Sequence, residues 1–291
     1  MILVTGATGF LGEFVVKELL DKNYDFCCFV RETSDVEMLK ENDIELRYGD
    51  LDDSESIKEA LKGVDTLINI ASLGFGHAPN IIDACEAMDV KRGIFISTTA
   101  IFTNLNAESK KVRTAAEKTI KNSNLDYTIL RPTMIYGTEN DRNMFRLVKF
   151  LNKIPVMPIF GPGTYLLQPV YVKDLARVIV KTLTVDASIN NDYNIPGEKP
   201  LTYNQVIEST ADALGKKVFK LHIPYNLSIF LMSVYEKVFP NPVLKAEQVE
   251  RLNENKDFSI KKAKEELDYE AITFSEGIAR EVNRAKKLGL I

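Results

Sequence analysis

Thr5-Gly6-Ala7-Thr8-Gly9-Phe10-Leu11-Gly12 is the stretch that decides the fold. It follows a short apolar run at residues 2–5. It opens a segment in which Leu11, Phe14, Val15 and Leu19 share one helical face. The order is therefore strand, glycine turn, helix. Gly6 permits the tight turn. Gly9 lets backbone approach a pyrophosphate with no Cβ in the way. Gly12 allows the helix to pack closely on the strand. The helix N-terminus adds unpaired N–H groups and a partial positive charge. Gly6, Thr8, Gly9, Phe10, Leu11 and Gly12 are expected to hold the pyrophosphate of a dinucleotide.

The same rhythm continues outward. Apolar runs at 26–30, 44–48, 64–70, 93–97 and 127–130 read as further strands. Helical stretches at 10–20, 35–39, 55–61, 80–88 and 107–121 separate them, with Ser34 or Asp35 and then Ser54 as caps. Continuous apolar strands between amphipathic helices indicate a parallel sheet covered on both faces. Right-handed crossovers then favour a doubly wound sheet. After Arg131-Pro132 the rhythm breaks into a loop-rich stretch with Pro155, Pro158, Pro162 and Pro169. From Thr202 onward the chain reads as mainly helical, at 203–214, 226–238, 245–253, 260–267 and 273–287. The expected fold is α/β: a doubly wound parallel sheet with a smaller, mainly helical C-terminal cap. Residues 1–150 form the dinucleotide-binding part, with a sheet-returning segment at about 166–195. Residues 196–291 form the cap.

Composition narrows the function classes. The 291 residues are 45% hydrophobic and 27% charged, an ordinary globular balance. The net charge of −4 argues against electrostatic nucleic-acid binding, whose usual footprint is a basic face. Two His, far apart, make a His-based metal site unexpected. Three Cys, two of them adjacent at Cys27 and Cys28, argue against a disulfide framework and point to a reducing, cytoplasmic setting. The chain opens directly on a strand, so no signal peptide is expected. No run of 18 apolar residues suggests a membrane span, and the apolar segment 227–234 reads as a buried helix. Oligomeric state is left open.

The glycine spacing G-x-x-G-x-x-G departs from the commoner G-x-G-x-x-G and resembles the short-chain dehydrogenase/reductase superfamily, in its extended and atypical, NAD-dependent epimerase/dehydratase-like branches. Other segments extend the resemblance in order: Gly49-Asp50-Leu51, Asn69-Ile70-Ala71-Ser72, Ile96-Ser97-Thr98-Thr99, Leu130-Arg131-Pro132 to Tyr136-Gly137, and Gln168-Pro169-Val170-Tyr171-Val172-Lys173-Asp174. The resemblance implies that Asp50 and Leu51 flank adenine. It implies that Ala71, Ser72 and Pro132 lie along the nicotinamide half, and that Thr98 carries the strand-end hydroxyl. It places a small-molecule substrate between sheet and cap, near Thr98, Met134, Tyr136, Tyr165 and Gln168.

The residue after the second strand is Arg31, where NAD readers place a carboxylate and NADP readers a cation. Arg31 can fork onto a 2′-phosphate and Ser34 can add a hydroxyl, while Glu32 competes. NADP is therefore expected over NAD.

The superfamily's reductases and epimerases use a tyrosine acid/base with a lysine four residues later, a cation that draws the phenol toward working pH. This sequence has no tyrosine between Tyr48 and Tyr127. Glu117 resembles the glutamate four residues past that lysine, which puts Arg113 at the lysine position and Ser109 at the tyrosine position. Shifting onto Lys110 or Lys111 brings Asn106 or Ala107 into the tyrosine position instead. Three functions stay open: an NADP(H)-sensing scaffold or assembly factor, a weak or lysine-dependent oxidoreductase using Lys110 or Lys111, or a sugar-nucleotide epimerase/dehydratase whose acid/base is Tyr136 or Tyr165.

Overall fold

Strands β1 (Ile2–Thr5) and β2 (Phe26–Val30) are buried at every position, as strands covered on both faces must be. With β3 (Glu45–Tyr48), β4 (Thr66–Asn69), β5 (Arg92–Ile96) and β6 (Asp126–Pro132) they form one parallel sheet. A seventh strand, Asn191–Ile195, joins at the edge beyond β6. The order from that edge is the seventh strand, β6, β5, β4, β1, β2, β3. The order reverses between β1 and β4, and in such sheets the ligand crevice lies at the carboxyl ends beside that switch. This computed structural model describes residues 1–104, 108–227 and 254–291.

The chain divides into two compact units. The first comprises Met1–Pro132, Val172–Ile195 and Ile260–Glu270. Its core joins Leu3, Phe29, Leu67 and Phe95 of the strands to Ile57, Ile81 and Ile120 of the helices. Truncating Ile120, fully buried, would cost about 2–5 kcal/mol. Arg92 secures the seventh strand: its guanidinium donates to Thr128 Oγ1 at 2.5 Å and Ser188 Oγ at 2.9 Å. Cys27, Cys28 and Cys85 are buried and free.

The second unit comprises Thr133–Tyr171, Pro196–Ser259 and Ala271–Ile291. Leu147, Val148 and Leu151 of the helix Met144–Lys153 pack with Val206 and Ile207 of the helix Tyr203–Leu214, and with Ile278 and Val282 of the helix Phe274–Lys287. Thr202 caps the Tyr203–Leu214 helix in a full capping box with Gln205.

Several details differ from the sequence reading. The first unit ends at Pro132 rather than near 150 and takes back Ile260–Glu270. Asp53, not Ser54, caps the third helix, because its carboxylate accepts the Glu55 N–H. The segment after Thr202 is not all helical: Phe219–Ile223 is a strand, parallel to Val156–Phe160. Its pattern alternates Phe219, Leu221 and Ile223 with Lys220 and His222, but a five-residue strand is fixed by its partner, which lies some sixty residues away. The helices expected at 226–238 and 245–253, and the apolar segment 227–234, fall almost wholly outside the described residues. Among the described residues no helix is long and apolar enough to cross a membrane.

Candidate dinucleotide site

The glycine loop is built as its spacing demands. Gly6 has φ +70°, and a Cβ there would lie 2.7 Å from the Ala71 nitrogen, so the loop closes directly onto the backbone following β4. A Cβ on Gly12 would lie 2.1 Å from the Gly6 carbonyl oxygen. Gly9 differs: its φ is −87°, it is exposed, and a Cβ would meet only the Gly6 oxygen at 3.3 Å. Gly9 is the N-cap of the helix Phe10–Asp21 and supplies no side chain to it. The first-turn amides of Phe10, Leu11 and Gly12 have no acceptor within their own helix. An exposed, uncapped helix start behind a backbone cradle suits a pyrophosphate.

Buried polar side chains hold the cradle in place. Thr5 donates its hydroxyl to Asn69 Oδ1 at 2.8 Å, and Asn69 Nδ2 donates to the Ala71 carbonyl at 3.0 Å. Asn69 is fully buried. Its positioning role was not read from the sequence, although a buried amide at the end of an apolar strand was a usable signal. Ser72 accepts the Gly74 N–H at 3.2 Å and so starts the short turn Leu73–Phe75.

The groups expected at the adenine end lie beyond β2 and β3. Arg31 is exposed and begins a turn closed by the Ser34 N–H on the Arg31 carbonyl at 2.9 Å, so Ser34 lies in the same turn. Among the described residues Arg31 makes no ion pair. Glu32 beside it is exposed as well. Asp50 is exposed and accepts the Asp52 N–H, while the half-buried Leu51 packs on the core.

The other end of the sheet edge is organised by an ion pair. Glu117, on the helix Glu108–Lys121, accepts from Arg131 Nη2 at 2.6 Å, from Arg131 Nε at 2.9 Å and from the Ser97 hydroxyl at 2.6 Å. Both members are under 9% exposed. Burial works against the Arg131 charge, but hydrogen bonds to Glu117 and Asp192 outweigh it and hold the guanidinium above its ordinary pKa. This clamp fixes the helix to β5 and β6. Arg113 and Ser109 lie one and two turns earlier on the same face. Arg113 is half-buried, its guanidinium lying where a Cβ on Gly74 would come within 2.9 Å. Ser109 is exposed. The sequence reading used Glu117 only to set register; its role as a clamp required the fold.

The remaining candidates separate clearly. Thr98 accepts the Ala100 N–H at 3.2 Å and caps the turn Thr99–Phe102. Pro132, buried at the end of β6, accepts the Thr99 hydroxyl at 3.3 Å. Lys110 is half-buried and donates to the Thr103 carbonyl at 2.6 Å. Lys111 is exposed and pairs with Glu108 at 3.3 Å. Asn106 and Ala107 lie outside the described residues.

Of the four residues besides Thr98 expected near substrate, all in the second unit, Met134 and Tyr165 are partly exposed. Tyr136 is 1% exposed, packed against Tyr171 and Phe274. Gln168 is 3% exposed and uses both ends of its amide internally, donating to the Gly197 carbonyl and accepting the Phe258 N–H, each at 2.8 Å. Tyr136 and Gln168 thus lend that unit packing and a latch. A cavity of about 170 Å³ in the second unit is lined by Glu198, Leu201, Thr273 and Ser275 among others, and none of the four residues borders it. Among the described residues no cluster of three metal-ligating side chains occurs.

The fold and its glycine loop define a doubly wound, dinucleotide-binding α/β protein. The profile of an NAD(P)H-binding family matches residues 6–185, more than half of the sequence, and the chain belongs to that family. It is 24% identical to the Photosystem II assembly factor Ycf39 of Trieres chinensis, over 82% of this chain and 75% of that one. It is 27% identical to the NADH dehydrogenase [ubiquinone] 1 alpha subcomplex subunit 9, mitochondrial, of Arabidopsis thaliana, over 77% of this chain and 60% of that one. The chain therefore spans less than two thirds of the second relative's length. The crystal structure of UDP-glucuronic acid 4-epimerase from Bacillus cereus, in complex with UDP-glucuronic acid and NAD, superposes with a TM-score of 0.77 at 20% identity, covering 99% of each chain. That likeness speaks to the fold.

Proposed function

We propose that this protein binds NADP(H) and acts chiefly as a cofactor-gated binding or assembly factor, with at most slow oxidoreductase turnover. The carrying observation is the helix Glu108–Lys121, which the Glu117 clamp holds against the sheet while it presents Ser109 and Arg113 and no phenol. Without that acid/base, about 10²–10⁴-fold of catalytic help is missing. Gly6, Thr8, Gly9, Phe10, Leu11 and Gly12 hold the pyrophosphate. Arg31 and Ser34 take the 2′-phosphate, Asp50 and Leu51 flank adenine, and Ala71, Ser72 and Pro132 line the nicotinamide half. Arg31, exposed and without an ion pair among the described residues, supports NADP over NAD. Two relatives, an assembly factor and a subunit of a larger complex, are in keeping with a binding role.

A lysine-dependent reductase is the second reading, and Lys110 favours it. Its side chain is half-buried and donates to the Thr103 carbonyl in the segment that follows β5, whereas Lys111 is a surface ion pair. Fluorescence titration of the purified protein with NADPH and NADH tests the cofactor half of the proposal. Saturable binding with NADPH preferred is expected; binding of neither, or preference for NADH, contradicts it.

A further inference from the structure

The interior of the second unit holds two acidic side chains that no cofactor reading uses. Glu281, on the helix Phe274–Lys287, is 0% exposed, and Asp141 is 5% exposed. Their proximity follows from the packing of that helix. Gly277, Glu281 and Arg284 fall at i, i+4 and i+7 and share a face. Gly277 lies so close to the Tyr136 phenol that a Cβ would be 2.0 Å from its oxygen. Arg284 grips Glu139 with two hydrogen bonds of 2.6 and 2.8 Å. This face therefore covers residues 136–141, and Glu281, between the two contacts, is pressed onto the Asp141 turn.

Asp141 is already committed on one side. Its Oδ1 accepts the N–H groups of Asn143 and Phe145 at 2.9 and 3.2 Å, anchoring the start of the helix Met144–Lys153. Its Oδ2 and both oxygens of Glu281 are buried and meet no donor in good hydrogen-bond geometry among the described residues. Nor does any cation pair with either carboxyl there. On their own helix, Arg280 is engaged by Glu276 and Arg284 by Glu139. Arg142, Arg146 and Lys149, flanking or on the Met144–Lys153 helix, are exposed, as are Glu208 and Asp212 on the Tyr203–Leu214 helix. Two ionised carboxylates cannot share such a place without compensation, whereas one protonated carboxyl supplies the missing O–H donor.

We infer that Glu281 is protonated and donates to Asp141, a one-proton clamp that ties the start of the Met144–Lys153 helix to the Phe274–Lys287 helix and releases them as pH rises. Burial first, then the Asp141 charge and the hydrogen bond between them, push the Glu281 carboxyl up to about 10; the Gly137 amide pulls the other way and is outweighed. The sign follows from that shift. The folded state binds a proton that the unfolded chain, with a carboxyl near 4.5, has released. The clamp's contribution is full below the ordinary carboxylate range and is lost progressively as pH climbs toward about 10.

The test is thermal unfolding of the full chain between about pH 5 and about pH 9. This single proton lowers the folded-to-unfolded ratio by up to about tenfold per pH unit in the wild type. Glu281→Gln keeps an N–H donor toward Asp141 and cannot ionise. It should flatten the decline and melt above the wild type at the alkaline end. A variant that melts lower at every pH, with the wild-type slope intact, overturns the inference, since Glu281 would then be an ionised group with a compensating partner. Infrared spectra of the wild type provide a readout independent of any variant's folding. A carboxylic-acid C=O band should persist at about pH 8, where ordinary carboxyls are ionised; its absence overturns the clamp outright.

Discussion

The helices Phe10–Asp21 and Glu108–Lys121 are each fixed to the same sheet by contacts that tolerate little change, but by opposite means. The first approaches by having nothing in the way: Gly12 has no space for a Cβ against the Gly6 carbonyl. The second is drawn in by charge, through Glu117, Arg131 and Ser97 in a buried network. The first leaves an uncapped helix start just beyond the carboxyl end of β1. The second presents Ser109 and Arg113, the residues that the sequence resemblance aligns with a phenol and a lysine. On the proposed function, the first helix serves a cofactor and the second lacks the acid/base pair. Cofactor binding and proton transfer would then rest on different residues, and a substitution should alter one without the other.

The sharpest way to break the comparison is at the glycine loop. Gly9→Asp should abolish NADPH binding while leaving the fold intact. Gly9 has an ordinary φ and room for a side chain, and aspartate is a good N-cap. Its carboxylate would occupy the helix amides and repel the pyrophosphate. The thermal shift with NADPH should vanish and the far-UV spectrum persist. Gly12→Ala is the contrasting control: it should lose about 3 kcal/mol of stability, the upper end for overpacking, because a backbone oxygen stands in the way. Normal NADPH stabilisation of the Gly9→Asp protein would show that the loop is not the phosphate site.

The second helix should break differently. Glu117→Ala leaves the Arg131 charge buried without its main partner, and should cost about 3–5 kcal/mol in denaturant unfolding. A loss within about 0.5 kcal/mol, the range of ordinary surface changes, would mean the clamp does not hold the helix. Next in size is Arg31→Ala, which should weaken NADPH by about 1.5–3 kcal/mol and leave NADH nearly unchanged. Equal losses for both would remove Arg31 from the 2′-phosphate. The smallest effect is expected from Ser109→Tyr combined with Arg113→Lys. Restoring the residue pair alone should raise turnover little, because the surrounding site is not shaped to use it.

These contrasts also explain what the sequence made legible. The glycine loop, β1, β2 and the helix 203–214 could be read directly, because local spacing and a capping box dictate them. Clamps such as Glu117 with Arg131, or Asn69 with Thr5, join residues 14 and 64 positions apart, and no local spacing pairs them. Tyr136 and Gln168 were read as near substrate from the family resemblance. Burial within the second unit was invisible until its helices were placed. The strand Phe219–Ile223 escaped for the same reason, its partner being remote.

The most direct test of the central claim is to follow NADPH oxidation by the purified wild type, at saturating cofactor, against panels of aldehydes, ketones and sugar nucleotides, with Lys110→Ala and Lys111→Ala proteins in parallel. The account predicts tight NADPH binding in all three proteins and only slow oxidation, not changed by either substitution. Vigorous turnover in the wild type that disappears in either lysine variant, with NADPH binding intact, would contradict it and establish a lysine-dependent reductase.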